Sequence, residues 1–235
     1  MRFEIRCKLE KKVISTDYRR KILSFFKGSL EEYNRDIKRA IYDDPERRNF
    51  TFSVYLPVEK IEKDRVYLKN NYIKIFLSVE NMMEALHFLN ALIGSKGKKI
   101  SMDENSFVVE RIHKRQEKEV VRDEAVFRTL SPIVIREVRE GKNSWYHDFD
   151  KKGLEILKKN TLYNLKDKFS KSSLEEFEIV PIKTKRTVVS FYSSKFPVTL
   201  GNFYMKADKK ILNYLYKSGF GSRSSAGFGM LELIE

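Results

Sequence analysis

Residues 219–229 read GFGSRSSAGFG, so four of the chain's ten glycines lie within eleven residues. A helical pattern at 209–216 precedes this glycine-rich segment, and a strand-like pattern at 230–234 follows it. Glycine adopts positive φ readily and lets a backbone approach another group closely. Peptide N–H groups, serine hydroxyls and Arg223 would then converge on phosphate groups. The segment therefore predicts a loop that binds a polyanion.

Two familiar phosphate-binding loops do not fit this segment. A Walker loop has four residues between its glycines and then Lys, whereas five residues separate Gly221 from Gly227 and Phe228 follows. A dinucleotide-binding loop follows a strand and opens a helix, which is the reverse of the order here. A simple helix-to-strand turn with Gly219 as the helix C-cap remains an open alternative.

The composition indicates a basic, folded protein. Its 47 Lys and Arg against 33 Asp and Glu leave a net charge of +14, which fits a nucleic acid or an anionic membrane as partner. Seventeen Phe and twelve Tyr favour nucleic acid, because bases stack on aromatic rings. The lone Cys7 excludes an intramolecular disulfide, and neither an apolar leader nor a membrane-length apolar stretch is present. We therefore expect a cytoplasmic protein that spans no membrane.

The order of elements predicts an α+β fold. The first half has strand patterns at 2–9, 50–56, 65–68, 72–79 and 107–112, and helical patterns at 17–27, 30–41 and 81–93, with a break near Gly28. This is close to the β-α-β-β-α-β order of a ferredoxin-like domain. After the charged stretch 111–122 the order begins again, with strands at 129–138, 177–189, 197–206 and 230–234 and helices at 149–169 and from Lys209. We predict two tandem ferredoxin-like (RAMP/RRM-like) domains, 1–118 and 119–235.

A family resemblance rests on several of these residues. GFGSRSSAGFGM at 219–230, FTFS at 50–53, TLSPI at 129–133 and the MRF start occur in the order seen in one family and span nearly the whole chain. The chain resembles the CRISPR-associated endoribonucleases of the RAMP superfamily, which process repeat RNA. The resemblance implies tandem ferredoxin-like folds, CRISPR repeat RNA as partner, and cleavage near its 3′ side without a metal or cofactor.

Such cleavage makes defined chemical demands. The RNA 2′-hydroxyl must lose a proton and attack its own phosphate, the 5′ oxygen must be protonated, and the charge must be stabilised. Similar proteins use a Tyr on the first helix, then a His, then a Lys before the FTFS-like strand. Here no histidine precedes His87. Tyr33 matches the Tyr, Tyr42 falls near the place of the His and Arg48 at that of the Lys, and Lys38 shares a predicted helical face with Asn34 and Tyr42.

Other interpretations of these residues stay open. Tyr33 also fits the helix's apolar face, and Lys38 and Arg39 also fit a solvated one. Because Tyr and Lys are poor bases at neutral pH, we expect them to position the 2′-hydroxyl and stabilise charge. Of the three histidines, His87 fits a packed or half-exposed position on a helix, and His113 lies in a basic stretch where RNA contact or solvation both fit. His147 fits a turn before a helix with Asp148 as N-cap.

The residues predicted to contact RNA form four groups. We expect them to line a basic groove that binds the RNA through its phosphates. They are Arg35 and Arg39 on the predicted helix; Arg111, Lys114 and Arg115 at the domain junction; Lys183 and Lys185 on one strand face; and Gly221, Ser222, Arg223 and Ser224 in the glycine-rich segment.

The sequence thus predicts a metal-independent endoribonuclease that cuts precursor CRISPR RNA and leaves a 2′,3′-cyclic phosphate. The alternative is a repeat-RNA-binding scaffold subunit that has lost catalysis, because the usual histidine is missing. A structural backbone subunit of the same superfamily fits the two Gly-Phe-Gly units less well. An effector complex or a second copy of the chain is the open choice for a protein partner.

Overall fold

A computed structural model describes residues 1–43, 49–139, 144–192 and 194–234. The helices are α1 (Tyr18–Tyr33), α2 (Arg35–Tyr42), α3 (Met82–Gly94), α4 (Lys151–Leu165), α5 (Lys171–Leu174) and α6 (Lys209–Ser218). The strands are β1 (Arg2–Leu9), β2 (Val13–Ser15), β3 (Phe50–Tyr55), β4 (Val58–Glu62), β5 (Arg65–Leu68), β6 (Tyr72–Val79), β7 (Lys99–Met102), β8 (Asn105–Arg115), β9 (Glu124–Thr129), β10 (Ile135–Val138), β11 (Ser144–His147), β12 (Glu178–Phe191), β13 (Ser194–Lys206) and β14 (Leu231–Leu233).

The first half is built on an antiparallel five-stranded sheet with the order β3-β6-β1-β8-β7. The strict alternation of β1 buries Phe3, Ile5, Cys7 and Leu9 on the inner face, against the helices. Ile5 lies opposite Ile75 of β6 and Ile112 of β8, so the apolar positions of three strands line up. The predicted bounds of β1, β5 and β6 are confirmed.

Two helices, α1 and α3, cover the inner face of this sheet. The predicted break near Gly28 is wrong, because α1 runs through it and ends at Tyr33. The chain breaks instead at Asn34, which is extended and whose side chain accepts hydrogen bonds from the N–H groups of Asp36 and Ile37. An asparagine N-cap starts a new helix more effectively than one interior glycine ends an old one.

The second half carries a four-stranded sheet with the order β12-β13-β9-β14. The predicted strand 129–138 is wrong: β9 ends at Thr129, and β10 begins at Ile135 and pairs with β11 in a separate small sheet. Pro132 lies between them, and proline cannot donate to a strand ladder. The N-cap of α4 is Asp150 and not Asp148, since the Asp150 carboxylate accepts from the Gly153 N–H.

Four short strands lie where no strand was predicted, namely β2, β4, β7 and β11. β2, β4 and β5 form a small three-stranded sheet beside the first half. The α+β class with two tandem ferredoxin-like units is confirmed. The two cores are nevertheless adjacent, because Phe191, Phe196 and Phe228 from the second half pack into the core of the first.

Candidate functional site

Arg2 joins the two halves. It lies on the outer face of the first sheet and is only 2% exposed. Its Nη2 donates to the carbonyl oxygens of Tyr216 and Leu231, at 2.6 and 2.7 Å, and its guanidinium lies 3.6 Å from the centroid of the Tyr216 ring. Burial lowers the pKa of Arg2, while the Tyr216 and Glu232 side chains oppose that shift. The Tyr216 carbonyl belongs to the C-terminal turn of α6, where a cation is favoured.

Three hydroxyls on the same sheet face bind the second half in the same way. Thr51 donates to the Phe228 carbonyl at 2.7 Å, Ser53 to the Leu130 carbonyl at 2.5 Å, and Ser78 to the Lys217 carbonyl at 2.7 Å. The FTFS motif is thereby explained: Phe50 and Phe52 enter the core while Thr51 and Ser53 bond across the domain interface. These contacts fix how the second half sits on the first sheet.

The glycine-rich segment runs along β3, which is an edge strand of the first sheet. The segment places its two Phe side chains in different cores: Phe220 packs on Phe203 in the second half, and Phe228 packs on Phe191 in the first core. It is therefore a connection between the two cores as well as a turn. Gly219 does cap α6, as its N–H bonds to the Leu215 carbonyl.

The four glycines of the segment all have positive φ, and each touches protein atoms closely. A Cβ on Gly229 would lie 1.9 Å from the Phe220 carbonyl oxygen, and one on Gly227 would lie 2.5 Å from the Phe52 ring. The Ser222 N–H donates to the Val134 carbonyl, and the Gly229 N–H donates to the Pro132 carbonyl. The sequence suggested that these glycines let the backbone approach a polyanion. Close packing within the protein accounts for them instead.

Arg223 is held among aromatic rings. Its Nη2 donates to the Tyr146 hydroxyl at 2.7 Å, and its guanidinium lies 5.4 to 5.7 Å from the ring centroids of Tyr146, Phe191 and Phe196. Cation–π contacts of this kind stabilise a partly buried guanidinium. Arg223 therefore has protein partners, and the predicted loop residues Gly221, Ser222 and Ser224 lie beside it, half-exposed.

The remainder of the first sheet's outer face is basic and partly exposed. Arg6 on β1 lies opposite Arg111 on β8, with exposed Lys8 further along β1. Among the described residues none of these three cations has an ion-pair partner. We call Arg6, Lys8 and Arg111 the basic sheet face. The exposed rings of Tyr55 and Tyr72 lie on neighbouring strands of the same sheet.

The three predicted junction cations do not act as one group. Arg111 and Arg115 alternate onto the outer face, whereas Lys114 lies opposite inward-facing Phe3 and so points to the other side. Arg115 stands 5.0 Å from the Phe76 ring centroid and 4.0 Å from the Glu232 carboxylate, which ties it to the domain interface.

Lys183 and Lys185 lie on β12 of the long β12–β13 hairpin. Both are exposed and share one face of the strand, as the sequence predicted. Arg186, which points the other way, forms an ion pair with Asp148 at 3.2 Å. Neither Lys183 nor Lys185 has an ion-pair partner among the described residues.

Tyr33 lies at the C-terminal end of α1, where α1 meets α3. It is 41% exposed, so it is not a core residue. The Asn90 amide donates to its hydroxyl at 3.4 Å, and the His87 ring centroid lies 6.1 Å from its ring centroid. Ser29 and Ser95 bond further along the same helix pair, so α1 and α3 run antiparallel. The sequence predicted a packed or half-exposed His87, and its side chain is half-buried. Its contact with Tyr33 could not be predicted, because residues 54 positions apart show no local pattern.

The other predicted active-site residues are differently placed. Lys38 on α2 forms an ion pair with Glu31 of α1, and Glu31 also pairs with Arg35 at 3.3 Å. These cations lower the pKa of the Glu31 carboxyl. Arg39 pairs with Asp36 at 3.7 Å.

Tyr42, which the sequence placed on one face with Lys38, is 6% exposed and packs edge-on against Phe50 in the core. Arg48 lies outside the described residues. The structure thus brings Tyr33 and Lys38 to the surface and places Tyr42 beneath it.

A further polar group lies next to the start of β3, and sequence analysis missed it. Lys168 and the Tyr214 hydroxyl, both from the second half, donate to the Asn49 side-chain oxygen at 3.3 and 2.7 Å. Burial raises the pKa of Tyr214. No short-range pattern could have shown this, because Asn49 and Tyr214 are 165 positions apart.

The glycine-rich segment and Tyr33 lie at opposite ends of α1. Arg19, in the first turn, donates to the Gly227 carbonyl at 3.3 Å. At 1.5 Å per residue, Tyr33 is about 20 Å further along the helix. In the described ranges no group of three or more His, Cys, Asp or Glu is placed to hold a metal, and no helix is long and apolar enough to cross a membrane.

Comparison with known proteins decides the family. A family model for the C-terminal part of CRISPR-associated protein Cas6 matches residues 115–233, which is half of the chain. The chain belongs to the Cas6 family. The matched region contains the second sheet and the whole glycine-rich segment.

Curated Cas6 proteins match part of the chain. A protein of Pyrococcus horikoshii named as a CRISPR-associated endoribonuclease-like protein, Cas6nc, is 32% identical over 145 residues. A Pyrococcus furiosus protein named as a CRISPR-associated endoribonuclease-like protein, Cas6, is 30% identical over the same length. Each alignment covers 60% of this chain and 60% of the relative, so the chain spans three fifths of the curated relatives it matches.

Solved Cas6-related structures share the fold over the full chain. The product of a Cas6-related gene from Pyrococcus furiosus has a TM-score of 0.86 at 26% identity, covering 100% of this chain and 98% of that one. A RAMP protein described as binding different RNA substrates has a TM-score of 0.85 at 24% identity, with all of both chains covered. These structures show that the chain shares the fold of a Cas6-related protein over its whole length.

Proposed function

We propose that the protein is an endoribonuclease that binds CRISPR repeat RNA and cuts precursor CRISPR RNA into guide units. The observation that carries this proposal is the basic sheet face of a Cas6-family chain: half-buried Arg6 and exposed Lys8 and Arg111 have no ion-pair partner among the described residues. Relatives named endoribonuclease-like, and a Cas6 structure described as a product complex, support it. A protein that acts on RNA transcripts belongs in the cytoplasm.

The RNA is held by charge and by aromatic surface. Phosphates contact the basic sheet face and Lys183 and Lys185 of the hairpin, while the exposed rings of Tyr55 and Tyr72 are available for base stacking. Other predicted residues also contact the RNA, namely Arg35, Arg39, Lys114, Arg115 and those of the glycine-rich segment. They do so through the hydrogen-bond donors that their ion pairs and aromatic contacts leave free.

Cleavage takes place at the exposed end of α1. The RNA 2′ oxygen attacks the adjacent phosphorus and the 5′ oxygen leaves, so the product is a 2′,3′-cyclic phosphate and no metal is required. The Tyr33 oxygen accepts from Asn90, which leaves its own proton free to donate to a phosphate oxygen. Lys38 stabilises the developing negative charge once RNA competes with Glu31 for its ammonium. Arg48 and Tyr42 remain predictions for the same site.

A second candidate function is a repeat-RNA-binding scaffold subunit without catalysis, working within an effector complex or as a homodimer. The observation in its favour is that the first 86 residues contain no histidine to serve as acid or base. The two functions differ in whether bound RNA is cut.

The test is a denaturing-gel assay with RNA of the host's CRISPR repeat, in EDTA, beside the same RNA with a 2′-deoxy group at the cut site. Cleavage that survives EDTA and stops with the deoxy substitution is the expected result. A Tyr33→Phe variant should cut more slowly with unchanged RNA affinity. Tight binding of uncut RNA would favour the scaffold function.

A further inference from the structure

We propose that His87 is the general base of the cleavage reaction and so supplies from α3 the imidazole that the first helical region lacks. This inference rests on the proposed RNA cleavage and names a residue for it. Imidazole is the side chain best matched to proton transfer near neutral pH, because its unperturbed pKa lies close to 6.5.

Only one of the three histidines lies beside the proposed cleavage site. His147 bonds to the Glu137 carboxylate at 3.0 Å, in the β10–β11 hairpin of the second half. His113 lies on β8 opposite Glu4, in the first sheet. His87 alone stands next to an exposed residue of the site, with its ring 6.1 Å from that of Tyr33, centroid to centroid.

The surroundings of His87 leave one nitrogen for RNA. The side chain is half-buried, and its Nδ1 is buried with no hydrogen-bond partner among the described residues. Nε2, by contrast, is not a buried atom without a partner, and we assign it to the RNA. Asn90, one turn further along α3, holds the Tyr33 hydroxyl, so Tyr33, His87 and Asn90 form one polar group at the α1–α3 contact.

This arrangement supports a balanced step. Neutral His87 takes the proton of the 2′-hydroxyl on Nε2, and the 2′ oxygen forms a bond to phosphorus. The bond from phosphorus to the 5′ oxygen breaks, and that oxygen leaves with the electron pair. Water at this exposed surface protonates the 5′ oxygen, and His87 returns its proton to solvent. Tyr33 meanwhile donates to a phosphate oxygen.

The test is the single-turnover cleavage rate of host repeat RNA by the full chain, its His87→Ala and His87→Gln variants, and a Met83→Ala control. Met83 lies on the same helix and is 61% exposed. We expect each His87 variant to lose about 100-fold or more in rate, as removal of a general base does. RNA affinity and the thermal melt should stay at wild-type values, and added imidazole should restore part of the His87→Ala rate.

The outcomes separate the two proposals. If the wild type binds RNA but does not cut it, the proposed cleavage fails and His87 has no catalytic role. If the wild type cuts and His87→Gln cuts equally fast, cleavage stands and the inference about His87 is wrong. A loss of RNA affinity that accounts for the whole loss of rate would also overturn it, because His87 would then be a binding residue.

Discussion

At the scale of single residues, the domain interface depends on Arg2, whose buried Nη2 donates to two carbonyls at once. Replacing it by Met leaves the Tyr216 and Leu231 carbonyls without that donor in a buried site. We expect Arg2→Met to lower the free energy of unfolding by about 2 to 4 kcal/mol. Arg2→Lys should recover only part of this, because an ammonium lacks the planar guanidinium that lies over the Tyr216 ring. Denaturant titration would measure both, and a wild-type midpoint for Arg2→Met would contradict the role given to Arg2.

Gly229 makes a second residue-scale prediction. It has φ +68° and its Cβ position lies 1.9 Å from the Phe220 carbonyl oxygen. Gly229→Ala should therefore cost at least about 2 kcal/mol of stability. Gly28→Ala is the matched control, since Gly28 lies within α1 with nothing within 4 Å of the Cβ position, and Ala should stabilise it by about 0.5 to 1 kcal/mol. Equal thermal melts for the two variants would refute the packing explanation of the glycine-rich segment.

At the scale of elements, the β10–β11 hairpin carries a charge cluster centred on Glu137. Hydrogen bonds from Arg139 and His147 hold the pKa of this carboxyl at about 2, well below its usual 4.5. Because the pKa is lower in the folded than in the unfolded chain, the stabilisation is complete above pH 4.5 and disappears as the pH falls toward 2. Glu137→Gln should thus be less stable than wild type at pH 6, with the difference shrinking between pH 5 and 2. A difference that does not change with pH would contradict this.

Sequence reasoning succeeded for elements with a clear period and failed where a distant partner decides. The alternation of β1 and the apolar runs of β6 fixed those strands to the residue. β2 and β4, by contrast, are short and pair with β5. β2 depends on this partner about fifty residues away, and β4 is joined to it by a brief turn. Gly28 led to the prediction of a helix break that does not occur, because packing of α1 on the core outweighs the low helix propensity of one glycine.

The same reasoning holds for the site. Exposure of Lys183 and Lys185 could be predicted from the strand period. Exposure of Tyr33 could not, because the helical period placed it on the same face as apolar residues. The contact of Tyr33 with His87 and the bond of Tyr214 to Asn49 could not, because only the folded chain brings those residues together. The glycine-rich segment could be identified from its sequence, but only the structure shows that it connects the two cores.

At the scale of the whole molecule, a net charge of +14 and the basic sheet face predict salt-dependent binding. Five phosphate contacts, from Arg6, Lys8, Arg111, Lys183 and Lys185, would cost about 100-fold in affinity for single-stranded repeat RNA between about 50 and 200 mM salt. Lys185→Gln should reduce the slope of log K against log salt by about 0.7. Lys69→Gln, next to β5 in the small sheet, should leave it unchanged. An affinity independent of salt would argue against phosphate recognition.

The proposed cleavage goes through the RNA's own 2′-hydroxyl, and the mass of the 5′ fragment after cleavage in EDTA tests it directly. We expect a fragment that ends in a 2′,3′-cyclic phosphate. A fragment that ends in a free 3′-hydroxyl, or repeat RNA that stays bound and intact, would contradict it.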